Sequence, residues 1–185
     1  MSLRNLLRTA TRAEHDRVDA LGESFDLASQ AGYGAFLHGH ALALPALEAQ
    51  VLAHGPHPDH WPLKRRTEAL RQDLAALGQE PPRALAAPDL PSRSMRLGAL
   101  YVIEGSRLGG MLLSRRLAAV QPDAPRAYLD HDAGPGYWRD FLAWLEDEPD
   151  PVGHADQAVE GARRAFAFYA GAFERAAAER TQRVR

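Results

Sequence analysis

Apolar residues recur at three- and four-residue steps along most of this chain, and no segment alternates apolar and polar residues as a half-buried strand would. Prolines and glycines interrupt the pattern at intervals typical of the connections between helices. The sequence therefore predicts an all-α fold. Because 185 residues suffice for one sizeable core and are few for two, we expect a single-domain helical bundle over residues 1–185.

The interruptions predict six helices joined by short connections. Ser92 is expected to cap the fourth helix, because its hydroxyl can accept a hydrogen bond from an unpaired backbone amide. Pro45 removes a backbone donor inside the second helix and is expected to bend it. The predicted helices are Leu3–Leu21 with a stop at Gly22, Tyr33–Ala53, Trp61–Leu77, Ser92–Val120, Tyr137–Glu146, and a last one from about Val152.

Composition excludes several functional classes. The chain has no cysteine, so disulfides, thiolate ligands and iron–sulfur clusters are excluded, and any metal must use histidine or carboxylate. The formal net charge of −2 predicts no affinity for nucleic acid. The most apolar run, Leu97–Leu113, contains two charged residues and is too short to span a membrane. The N-terminus lacks the pattern of a secretory signal, so we expect a cytoplasmic protein.

His15 is the first candidate for chemistry. Asp19 follows it by one helical turn, so both side chains share a helix face and the carboxylate could orient an imidazole that binds metal. Taken alone, this pattern is more typical of an exposed histidine in a ladder of helical charges.

Three glycines in the fourth predicted helix are the second candidate. Gly105, Gly109 and Gly110 each cost about 1 kcal/mol relative to alanine in a helix interior, so some other interaction must compensate. Glycines four residues apart bare one face of a helix, which allows a flat ligand or another backbone to approach. Close helix packing is the alternative explanation. A third, adjacent glycine favours a bend, which close packing does not need.

The remaining histidines are weaker metal-binding candidates. His38 and His40 lie two residues apart and cannot share a helix face. Three more histidines occupy the proline-rich loop at 54–60, where Asp59 is the one carboxylate. We expect no zinc or nickel site in that loop, because no ordered element supports it.

Two segments together resemble a known family. Leu6–Asp19, LLRTATRAEHDRVD, resembles the opening helix of heme oxygenases, and Tyr101–Gly110, YVIEGSRLGG, is similar to their glycine-rich distal helix in its bacterial form. Glu160–Phe173 weakly resembles the final helix of the family. The order and separation of these segments in a chain of this length make the match specific.

The resemblance implies a role for each matched position. His15 corresponds to the proximal iron ligand of heme, with Asp19 beside it. Gly105, Gly109 and Gly110 correspond to the distal glycines that let the backbone lie over heme, with Gly105, Gly109 and Ser106 holding the water that delivers protons. Ser106 stands where animal members have a catalytic aspartate. Further heme-binding positions are Arg8 and, more weakly matched, Arg139 as partners of the propionates, with Phe166 and Tyr169 in the pocket wall.

By this resemblance the chain consumes heme and oxygen and releases biliverdin, iron and carbon monoxide. Heme would be both cofactor and substrate. No nucleotide-binding glycine motif follows a strand, so electrons are expected from a separate ferredoxin or reductase. The product would supply the chromophore of a bacterial phytochrome, or the reaction would recover iron. Two alternatives stay open: a heme-binding or sensing protein of the same fold without turnover, and a thiaminase-like helical enzyme.

Overall fold

The structure is a computed structural model that describes residues 2–61, 65–131, 136–148 and 154–183. Within these ranges the chain forms seven helices and no strand, which confirms the predicted all-α fold. The start of the last helix predicted near Val152 lies outside the described residues. The helices are α1 Leu3–Ala10, α2 Arg12–Glu23, α3 Gln30–His54, α4 Thr67–Ala76, α5 Arg93–Val120, α6 Tyr137–Asp147 and α7 Ala155–Arg183.

Serine side chains cap three of these helices. Ser2, Ser29 and Ser92 are extended residues whose hydroxyls accept hydrogen bonds from backbone amides in the first turns of α1, α3 and α5. The predicted cap at Ser92 is therefore confirmed, and α5 ends at Val120 as expected. Pro45 lies inside α3, which continues through it to His54.

The first predicted helix is in fact two helices. Thr11 separates α1 from α2 with φ −116° and ψ 16°, and its buried hydroxyl donates to the Leu7 carbonyl at 2.8 Å. The predicted stop at Gly22 is also wrong, because α2 continues to Glu23. The side chain that breaks the helix here is a threonine bonded back to the preceding turn, which is a weak signal in sequence.

The third predicted helix starts too early. α4 begins at Thr67, where the Glu48 carboxylate accepts from the backbone amides of Arg66 at 2.7 Å and Thr67 at 3.1 Å. Trp61 is buried, and its indole N–H donates to Glu104 at 2.7 Å. A carboxylate from α3 thus sets the start of α4, which local sequence cannot indicate.

α7 is the central helix, and α1, α2, α3 and α5 pack against it. α5 and α7 touch through their backbones at two glycines. A Cβ atom at Gly98 would lie 1.9 Å from the Ala158 carbonyl oxygen, and one at Gly161 would lie 2.0 Å from that of Met95. Close helix packing therefore explains these two glycines. In the described part of the chain, no helix is long and apolar enough to cross a membrane.

Candidate active site

A cleft opens where α2 and α5, both packed on α7, leave space between them. It consists of two adjoining cavities of about 540 and 450 Å³. Both are lined by His15 of α2 and by Gly105, Ser106 and Leu108 of α5. The volumes are in the range of small-molecule sites. The two segments that sequence singled out therefore form opposite walls of one cleft.

His15 is accessible and oriented. Its side chain is 58% exposed, and its Nδ1 lies 3.2 Å from a carboxylate oxygen of Asp19. The edge of its ring meets Phe166 of α7, with centroids 5.7 Å apart. A carboxylate that accepts from Nδ1–H favours the tautomer whose Nε2 carries no proton, and such a nitrogen could bind a metal. Partial burial raises the pKa of Asp19, and the neighbouring His15 opposes that shift.

The glycine face of α5 is open at Gly109. A Cβ atom added there would have no atom within 4 Å, and one at Gly105 would meet only Trp138 at an ordinary 3.6 Å. At Gly110 it would lie 3.4 Å from the Leu129 carbonyl oxygen, at the limit of ordinary contact, so this position packs against the backbone at Leu129. Close helix packing does not account for Gly105 and Gly109, which instead leave bare backbone along the cleft. The helix is continuous across all three glycines, and the bend expected there stays a prediction.

Arg66 is a cleft residue that sequence reasoning missed. It is 2% exposed, lines the second cavity, and lies with its guanidinium 5.2 Å from the ring centroid of Tyr128. Its Nη2 donates to the Ser106 hydroxyl at 2.6 Å and to the Ile103 carbonyl at 2.8 Å. Burial opposes its charge, but nearby phenols and carboxylates outweigh burial and raise the pKa of Arg66.

The bonding of Ser106 fixes what its hydroxyl can do. It donates its proton to the Ile103 carbonyl at 2.7 Å and accepts one bond from Arg66. A hydroxyl oxygen has two acceptor lone pairs, so one remains for a further donor. The Nε of Arg66 has no hydrogen-bond partner among the described residues, but it is too deeply buried for water to reach. The Ser106 hydroxyl therefore offers one acceptor to an ordered water in the cleft.

The inner wall of the second cavity includes a neutral histidine. Burial, helped by the positive charge of Arg66, lowers the pKa of His40 to about 3. Its Nδ1 lies 2.9 Å from the hydroxyl of Tyr128. Tyr169 packs behind this pair and does not line either cavity, whereas Phe166 lines the first. Of the two predicted aromatic residues, only Phe166 is placed at the cleft.

Arginines line the edge of the first cavity. Arg8, which sequence indicated, lines it together with Arg4, Arg12 and Tyr101. Arg139 does not reach the cleft: it is 81% exposed and pairs with Asp140 at 3.0 Å. The helical spacing of the three arginines along α1 and into α2 was visible in sequence, whereas the position of α6 was not.

The fold and the geometry of this cleft together indicate which class of ligand the protein binds. An accessible imidazole faces bare helix backbone across an apolar cleft with arginines at one edge. These features suit a flat, mostly apolar ligand that carries a metal and carboxylates. Helical proteins that bind heme have such a site.

Comparisons with known proteins agree with a heme-binding site. The family model described as heme oxygenase matches residues 1–175. A heme oxygenase of Xanthomonas campestris pv. campestris is 41% identical over 112 residues, which are 59% of this chain and 67% of that protein. The chain belongs to the heme oxygenase family. This confirms the resemblance: the chain is an enzyme whose substrate and cofactor is heme, and the family leaves no support for a thiaminase-like activity.

Two solved structures have the same fold. The NO- and CO-bound heme oxygenase of Neisseria meningitidis is 27% identical with a TM-score of 0.78, over 95% of this chain and 92% of that one. The heme oxygenase of Leptospira interrogans, at 17% identity, has a TM-score of 0.72 over 94% and 98% of the two chains. The second likeness is one of fold alone.

Proposed function

We propose that this chain opens heme to biliverdin, with release of iron and carbon monoxide, and that His15 is the proximal iron ligand. The observation that carries the proposal is that His15 and the open face of α5 at Gly105 and Gly109 line the same cleft. Bound heme would supply both the iron that activates oxygen and the ring that is oxidised.

Asp19 would hold His15 in the state needed for ligation. A carboxylate that accepts from Nδ1–H leaves Nε2 unprotonated and increases its basicity. A neutral imidazole donates less charge to iron than a thiolate does, so it favours O–O cleavage less strongly. This restraint suits a reaction in which the ring itself is the target.

The α5 wall of the cleft, opposite His15, would hold an ordered water beside the ligand. The free lone pair of Ser106 can accept a hydrogen bond from an ordered water in the cleft. Because the hydroxyl proton of Ser106 is bonded to a carbonyl, Ser106 would position this water rather than give up its own proton. Gly105 and Gly109 would let a ligand lie against the backbone beside it.

Arg8 would bind a propionate of heme, and Arg4 and Arg12 would share that role. All three side chains line the first cavity. Arginine binds carboxylates through two parallel hydrogen bonds, which fixes orientation as well as adding affinity. The rotation of the ring in the cleft would then depend on these contacts.

Electrons would come from a separate protein such as a ferredoxin or a reductase, because the described residues contain no strand to form a nucleotide-binding fold. We place the reaction in the cytoplasm, where such donors are reduced. The product would serve a bacterial phytochrome, or the released iron would be recovered.

The test is turnover of the heme-loaded protein with a chemical or enzymatic reductant and oxygen. The proposal predicts loss of the Soret band and growth of a biliverdin band. A Soret band that persists under these conditions would contradict turnover and favour the heme-binding or sensing alternative. The His15→Ala variant, assayed in parallel, should lose the iron–imidazole spectrum of the wild type.

A further inference from the structure

α2 carries His15 but is poorly anchored by apolar contacts. None of its side chains is buried, and Val18 and Leu21 are only partly covered by the core. Helices in proteins are stabilised mainly by burial of an apolar face. The position of α2 must therefore depend strongly on its polar contacts.

Arg163 of α7 makes one of these contacts, and a second one to α1 on the other side of the break at Thr11. Its Nη2 donates to the carbonyl of Ala10, the last residue of α1, at 3.1 Å. Its Nε lies 3.1 Å from a carboxylate oxygen of Glu14, in the first turn of α2. A single guanidinium therefore bridges the junction between the two helices.

The same face of α7 also contacts His15. Phe166 follows Arg163 by three residues, so the two side chains are neighbours on the helix surface. The ring of Phe166 meets the ring of His15 edge-on at 5.7 Å. Arg163 contacts the Ala10 carbonyl and the Glu14 side chain, which precede His15 in the chain, while Phe166 limits where the imidazole can lie.

We propose that Arg163 is a positioning residue, which holds the α1–α2 junction so that His15 faces the glycine wall of the cleft. The inference rests on the proposed role of His15 as iron ligand. The charge pair is partly exposed, 49% for Arg163 and 32% for Glu14, so its direct electrostatic contribution is small. Its effect comes from geometry, because the rigid fork of arginine can bind two acceptors that lysine cannot match.

The test compares Arg163→Gln, Arg163→Lys and Glu14→Gln with wild type. Arg164→Gln is the matched control, since Arg164 is the next residue on α7 and bonds Glu160 and the Asp89 carbonyl at 2.8 Å, away from α2. Amide exchange over residues 12–23 is measured in the heme-free protein. Heme affinity and the iron–imidazole stretching band are measured after loading.

We expect Arg163→Gln to speed amide exchange in α2, to raise the heme Kd about three- to tenfold, as for loss of one or two hydrogen bonds, and to broaden the iron–imidazole band. Arg163→Lys should fall between this variant and wild type. Glu14→Gln, which does not alter α7, should show the same changes more weakly. Arg164→Gln should match wild type.

Unchanged exchange and affinity in Arg163→Gln would overturn the proposal, as would equal changes in Arg164→Gln. Faster exchange with an unaltered iron–imidazole band would show that Arg163 stabilises α2 without positioning the ligand, and would also overturn it. Failure of the ligand assignment is distinguishable, because the iron–imidazole band would then persist in His15→Ala whatever Arg163 does.

Discussion

Gly109→Ala should raise the stability of the protein and weaken heme binding. The added methyl group would meet no atom within 4 Å, so it brings no clash, and alanine is favoured over glycine in a helix interior by about 1 kcal/mol. For a chain of this size that gain corresponds to a rise in Tm of about 2–4 °C. The same methyl group would occupy the space where the ligand should lie against the backbone.

The cost to binding follows from overpacking. An extra methylene in a closely fitted site costs about 1–3 kcal/mol, which lowers heme affinity fivefold or more. Thermal unfolding of the heme-free protein and heme titration are the two assays. Gly98→Ala is the contrasting variant: its Cβ would lie 1.9 Å from the Ala158 carbonyl oxygen, so it should destabilise the fold. A Gly109→Ala protein that binds heme as wild type does, or that melts at lower temperature, would refute the reasoning.

Three further predictions follow from charged groups. Arg66→Met should destabilise the fold by about 1–3 kcal/mol in urea unfolding, because the buried guanidinium that donates to Ser106 and Ile103 is lost; unchanged stability would show that these hydrogen bonds are not needed. The folded protein lowers the pKa of His40 to about 3, whereas in the unfolded chain this histidine takes up a proton near its ordinary pKa of 6.5. The free energy of unfolding should therefore be unaffected by His40 above pH 6.5 and fall by up to about 1.4 kcal/mol for each pH unit between 6.5 and 3. A His40→Phe variant should lose this slope, and an equal slope in both proteins would contradict it. Arg8→Gln should weaken heme binding several-fold in titration, whereas Arg139→Gln should not. Equal effects of the two substitutions would contradict the proposal that Arg8 binds a propionate at the edge of the cleft.

The parts of the site that sequence revealed are those with a local signal. Gly105 and Gly109 were visible because glycine is costly within a helix, and the structure finds no packing partner that would explain Gly109. His15 and Asp19 were visible as a pair one turn apart, and they lie 3.2 Å apart between Nδ1 and a carboxylate oxygen. Local periodicity likewise sufficed for the helical class and for the cap at Ser92.

The parts that sequence missed depend on contacts between distant residues. Arg66 is a cleft residue because Glu48 holds its backbone amide and Ser106 accepts from its side chain, 18 and 40 positions away in sequence. Nothing near Arg66 in the sequence indicates that it is buried. Arg139 is the opposite case, a residue that sequence wrongly placed at the cleft. Its match to the family by pattern could not show that its side chain is exposed on α6 and pairs with Asp140.

The iron–imidazole stretching band of the ferrous, heme-loaded protein tests the central assignment most directly. With His15 bound to iron, wild type should show this band, His15→Ala should lack it, and added imidazole should restore it. A wild-type band that survives unaltered in His15→Ala without added imidazole would contradict the account, because another group would then be the ligand.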